Sequence, residues 1–339
     1  MLCLVCSWSA SVGDELCQGV KPFCGERVGY AVKSDLCLLC PVELKGIYRS
    51  FSAPQGTVIA LNDISATLPP SGIVGLLGPN GSGKTTLMRI IMGILPPERG
   101  EVWYQGRPLT QKERCRFGYM PEERGLYPKM TAKAQLLYLL RLKGLSSTHA
   151  RQEIRRWAEI LEMPWLDRPA RALSKGMQQK VQLTLALAGD SPVLLLDEPF
   201  SGLDPVVSAE IEALLRDKAK NGALIILSTH RLEQVDHLCD YILLIHRGHL
   251  RLTGETSALR RQFWRRVYEV ETAQPLDTLT LPEGTRVELI NPMRAYVSLP
   301  ESLSTGAFLE ALIQQTDIRF FAEKLPTIRD IFLQSVGEA

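Results

Sequence analysis

The chain has 339 residues, 45% apolar and 22% charged, an ordinary globular composition with length for one large domain or two of usual size. A formal net charge of +2 leaves no electrostatic footprint for nucleic acid or for an acidic substrate. No apolar run approaches the ~18 residues of a membrane-spanning helix, so a membrane role is expected only through a partner.

Cys3, Cys6, Cys17, Cys24, Cys37 and Cys40 crowd the start of the chain, and only Cys115 and Cys239 fall in the rest. The body therefore reads as a cytosolic protein with reduced thiols. The start lacks a basic segment followed by a continuous apolar run and a small-residue cleavage site, so no secretory signal is expected. Residues 1–41 are expected to be a disordered Cys-rich extension. Cys3-x-x-Cys6 and Cys37-x-x-Cys40 offer four thiolates to a structural zinc, yet their separation exceeds the usual spacing and two cysteines are left over.

From residue 42 the sequence alternates as a strand does. Residues 42–51 are expected to form an edge strand, with a polar turn at 53–57 and a second strand near 58–61. Phe51 ends the first of these, where an aromatic ring can stack on adenine; an ordinary core or edge phenylalanine is the competing reading.

The apolar run 73–77 leads into Gly78-Pro79-Asn80-Gly81-Ser82-Gly83-Lys84-Thr85-Thr86. This is the phosphate-loop spacing: a glycine, four residues, then Gly-Lys-Thr. The glycines let backbone N–H groups turn inward around a polyphosphate, and a helix opening at 85–88 points its positive dipole end at the anion. Lys84 supplies charge for the β- and γ-phosphates, and the Thr85 hydroxyl is placed to ligate Mg²⁺.

A hairpin is expected over 100–108 and a strand over 117–121, leading into Glu122. Leu136, Leu137 and Leu140, then Ile154, Trp157, Ile160 and Leu161, recur at helical spacing and mark a helical insertion over about 125–175. Ser174 is a suitable cap for a helix expected over 177–189. The wholly apolar run 193–196 reads as a buried parallel strand and ends in Asp197-Glu198-Pro199. Pro205 begins a helix over 206–220, and a second buried strand, 223–228, ends at Thr229-His230. A helix at 232–238 and a hairpin through Gly248 complete an alternation that calls for a mainly parallel α/β sheet. After residue 256 the strands 267–271, 286–290, 295–299 and 318–321, with helices 306–314 and 327–336, make a small α+β appendage.

Several ordered motifs now stand together. The phosphate loop, the signature-like Leu173-Ser174-Lys175-Gly176-Met177-Gln178, the Walker B-like strand 193–198, the D-loop-like Ser201-Gly202-Leu203-Asp204 and the switch-like His230 resemble the ATP-binding subunit of an ABC transporter. The resemblance covers 42–256. It implies a P-loop NTPase ABC ATPase domain with a helical insertion, 42–255, followed by a small α+β C-terminal domain, 256–339. ATP and Mg²⁺ are the implied cofactors.

The chemistry is coherent with that family. Asp197 ends a buried strand and can hold Mg²⁺ through water, with Thr85 and Glu122 as further metal-side oxygens. Glu198, the next residue, faces the other way and can act as general base on the attacking water. His230 can bond the γ-phosphate or orient Glu198, and Lys84 completes the catalytic set. The resemblance implies that Ser174 and Gly176 contact the γ-phosphate held by a facing protomer. A head-to-tail pair with two ATP molecules follows, formed by a second copy or a homologous ATPase subunit. The implied further partners are integral-membrane permease subunits, with the chain cytoplasmic and peripheral on the inner face of the cell membrane.

Four positions depart from the common family form: Lys175 and Met177 in the signature, where the common form has glycine and glutamine, Glu122 where most members have glutamine, and Phe51 where many have tyrosine. Pro121-Glu-Glu-Arg-Gly-Leu-Tyr-Pro128, Lys175 and the closing Leu325-Pro-Thr-Ile-Arg-Asp-Ile-Phe-Leu-Gln334 resemble the bacterial exporter branch of sodium-extruding and drug-exporting systems, so export is favoured. The rival reading is a soluble ABC ATPase acting on ribosomes or DNA. A single phosphate loop, balanced charge and no sustained heptads between Lys84 and Ser174 speak against it.

Overall fold

A computed structural model describes residues 42–54, 56–123 and 125–337, and the cysteine pairs of 1–41 lie outside the described residues. The chain divides into two compact units. One runs to Arg231 and resumes over Leu238–Thr253; the other joins Leu232–His237 to the chain from Gly254 onward.

In the first unit, β1 (Val42–Ala53) and β2 (Gly56–Thr67) form an antiparallel hairpin in which Ala53 lies opposite Gly56. β3 (Gly72–Leu77) runs into the phosphate loop and α1 (Lys84–Ile91). β4 (Arg99–Tyr104), β5 (Arg107–Pro108), the short α2 (Gln111–Arg114) and β6 (Gly118–Met120) follow, then α3 (Ala132–Leu142), α4 (Ser147–Ile160) and α5 (Lys175–Leu187). β7 (Val193–Asp197), α6 (Pro205–Lys220) and β8 (Leu224–Thr229) come next. Beyond α7 (Leu232–Leu238), β9 (Tyr241–His246) and β10 (His249–Glu255) close the unit's sheet.

Six strands make that sheet, in the order β10-β9-β3-β8-β7-β6, with the five from β9 to β6 mutually parallel. Every residue of β7 and β8 is buried, as befits apolar strands covered on both faces. Leu194, Leu195 and Leu196 are wholly inaccessible, and each such side chain contributes about 1.5–3 kcal/mol through burial. Register brings the carboxyl ends level: Leu77 lies opposite Thr229, and Asp197 opposite Ser228.

The first expected strand is not at an edge. β1 spans twelve residues and sits inside a separate antiparallel sheet ordered β2-β1-β4-β5. Its Val42, Leu44 and Ile47 pack with Leu61 and Ile64 of β2 and with Val102 and Tyr104 of β4, so both neighbours are needed to cover them. Alternation along one strand records which face is buried, not how many strands flank it. β2 likewise runs to Thr67, beyond the short strand expected.

α5 starts two residues earlier than expected, because Ser174 Oγ accepts the Met177 N–H at 3.2 Å and so caps a helix whose first residue is Lys175. It ends at Leu187, before Gly189 takes φ 80°. Thr131 and Ser146 cap α3 and α4 in the same way. Trp157 of α4 is buried and donates through Nε1 to Glu153 Oε2 (3.2 Å), which also accepts the Gly189 N–H (3.0 Å).

The second unit has its own core. After α8 (Thr256–Gln262), β11 (Val267–Thr272), β12 (Arg286–Asn291), β13 (Arg294–Ser298), α9 (Thr305–Ile313) and β14 (Ile318–Glu323) precede α10 (Ile328–Gly337). The sheet is antiparallel, ordered β12-β13-β11-β14. Tyr268, Val270, Ala295 and Val297 cluster with Phe308 and Leu312, and the Tyr268 and Phe321 rings stack at 4.9 Å. Asp236 of α7 accepts the Ile328 N–H at 3.0 Å, which ties that helix to α10.

One half-buried cation of the first unit has a measurable consequence. Lys143 Nζ reaches the carbonyls of Leu185, Ala186 and Ala188 and the Ser191 hydroxyl at 3.0–3.5 Å, at the carboxyl end of α5. Burial first, and then the Lys218 charge, pull its ammonium down from 10.5 to about 8, against the opposing charge of Glu153. Between pH 8 and 10.5 the unfolded chain holds this proton more than the folded chain does, so the stability due to this group rises with pH. The stability difference between wild type and Lys143→Met is therefore expected to grow in favour of wild type across that window in urea melts. A difference that stays flat contradicts the assignment.

Candidate functional site

The level strand ends of the parallel sheet decide where the functional side chains meet. β3 hands the chain to the phosphate loop, in which Gly78 has φ 149° and Gly83 φ 112°. A Cβ on Gly78 would run into the Ile245 carbonyl and the Ser82 hydroxyl; one on Gly83 would strike the Ala60 carbonyl and Leu61. Close backbone approach, as well as dihedral freedom, thus demands glycine at both. Pro79, Asn80 and Gly81 are exposed at the loop's crest, and Thr85 and Thr86 lie in the first turn of α1. Lys84 is buried, and its Nζ donates to the carbonyls of Gly78 (2.8 Å) and Pro79 (3.1 Å).

Burial holds the Lys84 ammonium below its ordinary value, while Glu198, Asp197 and Glu122 pull the other way. Lys84, Asp197, Glu198 and Glu122 therefore share one electrostatic neighbourhood. Asp197 is almost wholly inaccessible at the end of β7. Its Oδ1 accepts the Ser228 hydroxyl at 2.5 Å, and Ser228 Oγ in turn accepts the Glu198 N–H at 2.9 Å. Glu198 has φ 51°, in the left-handed region that costs a non-glycine residue about 1–3 kcal/mol and that recurs at functional sites. Its Oε1 lies 2.8 Å from His230 Nδ1; the glutamate is mostly buried, the histidine mostly exposed.

At this site Asp197 Oδ2 and Ser82 Oγ are buried with no partner among the described residues. An orphaned buried carboxylate oxygen beside a hydroxyl-bearing first turn is the hard-oxygen chemistry that Mg²⁺ takes, and the glycine-lined loop above it suits a polyphosphate.

Other expected residues stand apart. Ser174 Oγ is taken up by its own helix, and Gly176 lies 3.3 Å, measured from a notional Cβ, from the Gly202 carbonyl. Phe51 pairs with Val58, two residues from the Ala60 that abuts Gly83, and is 39% exposed under the Arg49 guanidinium at 5.1 Å. Among the described residues no hydrogen bond or ion pair ties Ser174, Gly176 or Phe51 to the phosphate loop, Asp197, Glu198 or His230. Ser228 is the residue that sequence reasoning missed. Its only signal is a hydroxyl that follows four apolar residues within the buried strand, and its partner is set by strand register.

With this geometry in hand, comparison with known proteins is direct. The ABC transporter family model matches residues 61–201, and that of the ATP-binding protein DrrA1-3-like, C-terminal domain, matches residues 254–336. The uncharacterized ABC transporter ATP-binding protein YhaQ of Bacillus subtilis is 34% identical, over 83% of this chain and 95% of that protein. Nod factor export ATP-binding protein I of Sinorhizobium fredii is 32% identical, over 90% and 87% of the two chains. A solved ATP-binding subunit of an ABC transporter matches with a TM-score of 0.60 at 30% identity, covering 66% of this chain and 93% of that one. The chain belongs to the ABC transporter ATP-binding proteins, the ATPase subunits that bind and hydrolyse ATP to power a membrane transporter, and it carries a DrrA-like C-terminal domain.

Proposed function

We propose that the ATP phosphates lie along Gly78–Thr86, with the Lys84 ammonium leaving the Gly78 and Pro79 carbonyls for the β- and γ-phosphates. The observation that carries this reading is the bonded chain Asp197–Ser228–Glu198–His230 at the sheet end beside a buried Lys84. Asp197, Thr85 and Glu122 are the residues that would hold Mg²⁺, directly or through water. When bound, that ion offsets the charge of the phosphate oxygens. Glu198 accepts the proton of the attacking water, and His230 keeps the Glu198 carboxylate oriented and stands near the γ-phosphate. Phe51 stacks on adenine from the hairpin that meets Gly83.

ABC ATP-binding subunits dimerise and work with membrane permeases. In this chain Ser174 is exposed and, with Gly176, is joined to none of the residues around Lys84, which supports a site completed by the signature of a second copy or a homologous subunit. Integral-membrane permease subunits are the partners that convert dimer closure into transport. The chain would then sit on the cytoplasmic face of the cell membrane, and no helix among the described residues is long and apolar enough to cross it. The similarity to a Nod factor export protein and the DrrA-like domain favour export over import.

Three measurements test these roles. Lys84→Ala is expected to abolish nucleotide binding. Glu198→Gln should retain ATP and accumulate as an ATP-bound dimer in light scattering, with turnover lower by about 10²- to 10⁴-fold. Unchanged turnover in that variant removes Glu198 as the base. The chain should sediment with membranes only when a multi-span permease is co-produced, whereas recovery in a permease-free ribosome or DNA complex would favour the non-transport reading.

A further inference from the structure

A glutamine amide carries two N–H donors and one carbonyl acceptor, so a single buried side chain can bracket two backbone carbonyls. Residues three apart on a helix share a face. α5 uses both facts at Gln179 and Gln182, which are buried at 3% and 5% exposure. Gln179 Nε2 donates to the Glu198 carbonyl (3.2 Å) and the Pro199 carbonyl (3.1 Å). One turn on, Gln182 Nε2 donates to the Glu123 carbonyl (3.1 Å) and reaches the Pro121 carbonyl at 3.5 Å. The first amide thus grips the backbone at Glu198, and the second grips the backbone on either side of Glu122. Both belong to the helix that Ser174 caps.

We propose that Gln182 is a positioning residue for Glu122, and that Gln179 and Gln182 together make α5 a common mount for the Glu122 loop and the Glu198 strand end. The inference rests on the reading of Glu122 and Glu198 as site carboxylates. A purely space-filling role does not account for the amide. Gln182 Oε1 is buried with no partner among the described residues, and an orphaned buried acceptor costs stability that an apolar side chain of the same length would avoid. What the amide supplies and methionine does not is the pair of donors aimed at Pro121 and Glu123. The consequence is mechanical. The two carboxylates that act on Lys84, one before α5 in sequence and one after it, keep a spacing set by less than one turn of helix, and a displacement of the Ser174 end carries both.

The test uses the full chain and Gln182→Met, which keeps length and removes the donors, with Gln182→Glu as a second variant of the same shape that only accepts. The Gly125 N–H, held by the Glu123 carbonyl at 3.0 Å, reports the loop by hydrogen exchange. Its exchange is expected to quicken by about 10-fold in either folded variant while the β7 amides stay as protected as in wild type. In parallel, kcat should fall by about 10-fold with the ATP KM within about two-fold of wild type. Unchanged Gly125 exchange overturns the proposal, and so does a loss of protection shared equally by β7, which marks a merely structural residue. Should wild type itself fail to turn over ATP, the catalytic reading falls while the exchange experiment still decides the role of Gln182.

Discussion

A single hydroxyl carries most of the site's geometry. Ser228 Oγ accepts from the backbone of Glu198 and donates to the side chain of Asp197, so a residue on one strand joins two neighbouring acids on the next. The bond is possible only because Asp197 lies opposite Ser228 in a parallel register that also sets Leu77 opposite Thr229. A one-residue slip would turn every side chain of β8 to the other face and break the bridge. His230 lies two residues beyond Ser228, just past the end of the same strand, and closes the chain back on Glu198.

Around that bridge the protein tolerates features that cost stability elsewhere. Glu198 has a left-handed backbone, Lys84 is buried beside loop carbonyls, and Asp197 Oδ2 and Ser82 Oγ are buried without partners among the described residues. Each suits a charged ligand that supplies what is missing, and fixed donors and charges in a dry site act on a phosphoryl group without reorganising. The fully buried leucines and isoleucines of β7 and β8 hold the frame in which this is possible.

The phosphate loop, the two adjacent acids and the histidine are assembled at one end of the parallel sheet, whereas Ser174 is exposed at the start of α5, where it caps its own helix. The same helix runs inward to grip the backbone at Glu198 and at Pro121 and Glu123. One end of α5 is thus exposed while its middle is bonded to the backbone at Glu198 and Glu123. The second unit, with a separate aromatic core, contributes none of these residues.

Much of this was legible in the residues alone. Glycine spacing announced the phosphate loop, because few side-chain patterns let a backbone wrap an anion; the apolar runs before Asp197 and His230 announced buried parallel strands; and Ser174 announced a helix start through its own local bond. These are short-range properties, settled by steric and hydrogen-bonding preferences within a few positions. Folding in three dimensions settled the rest: that β1 is an interior strand, that Ser228 bridges the two acids, that Gln179 reaches the backbone at Glu198 and Gln182 the backbone around Glu122, and that Leu232–His237 clusters with the second unit. Each of those facts is a pairing between residues distant along the chain, and a linear pattern carries no record of which strand or loop will lie across from it.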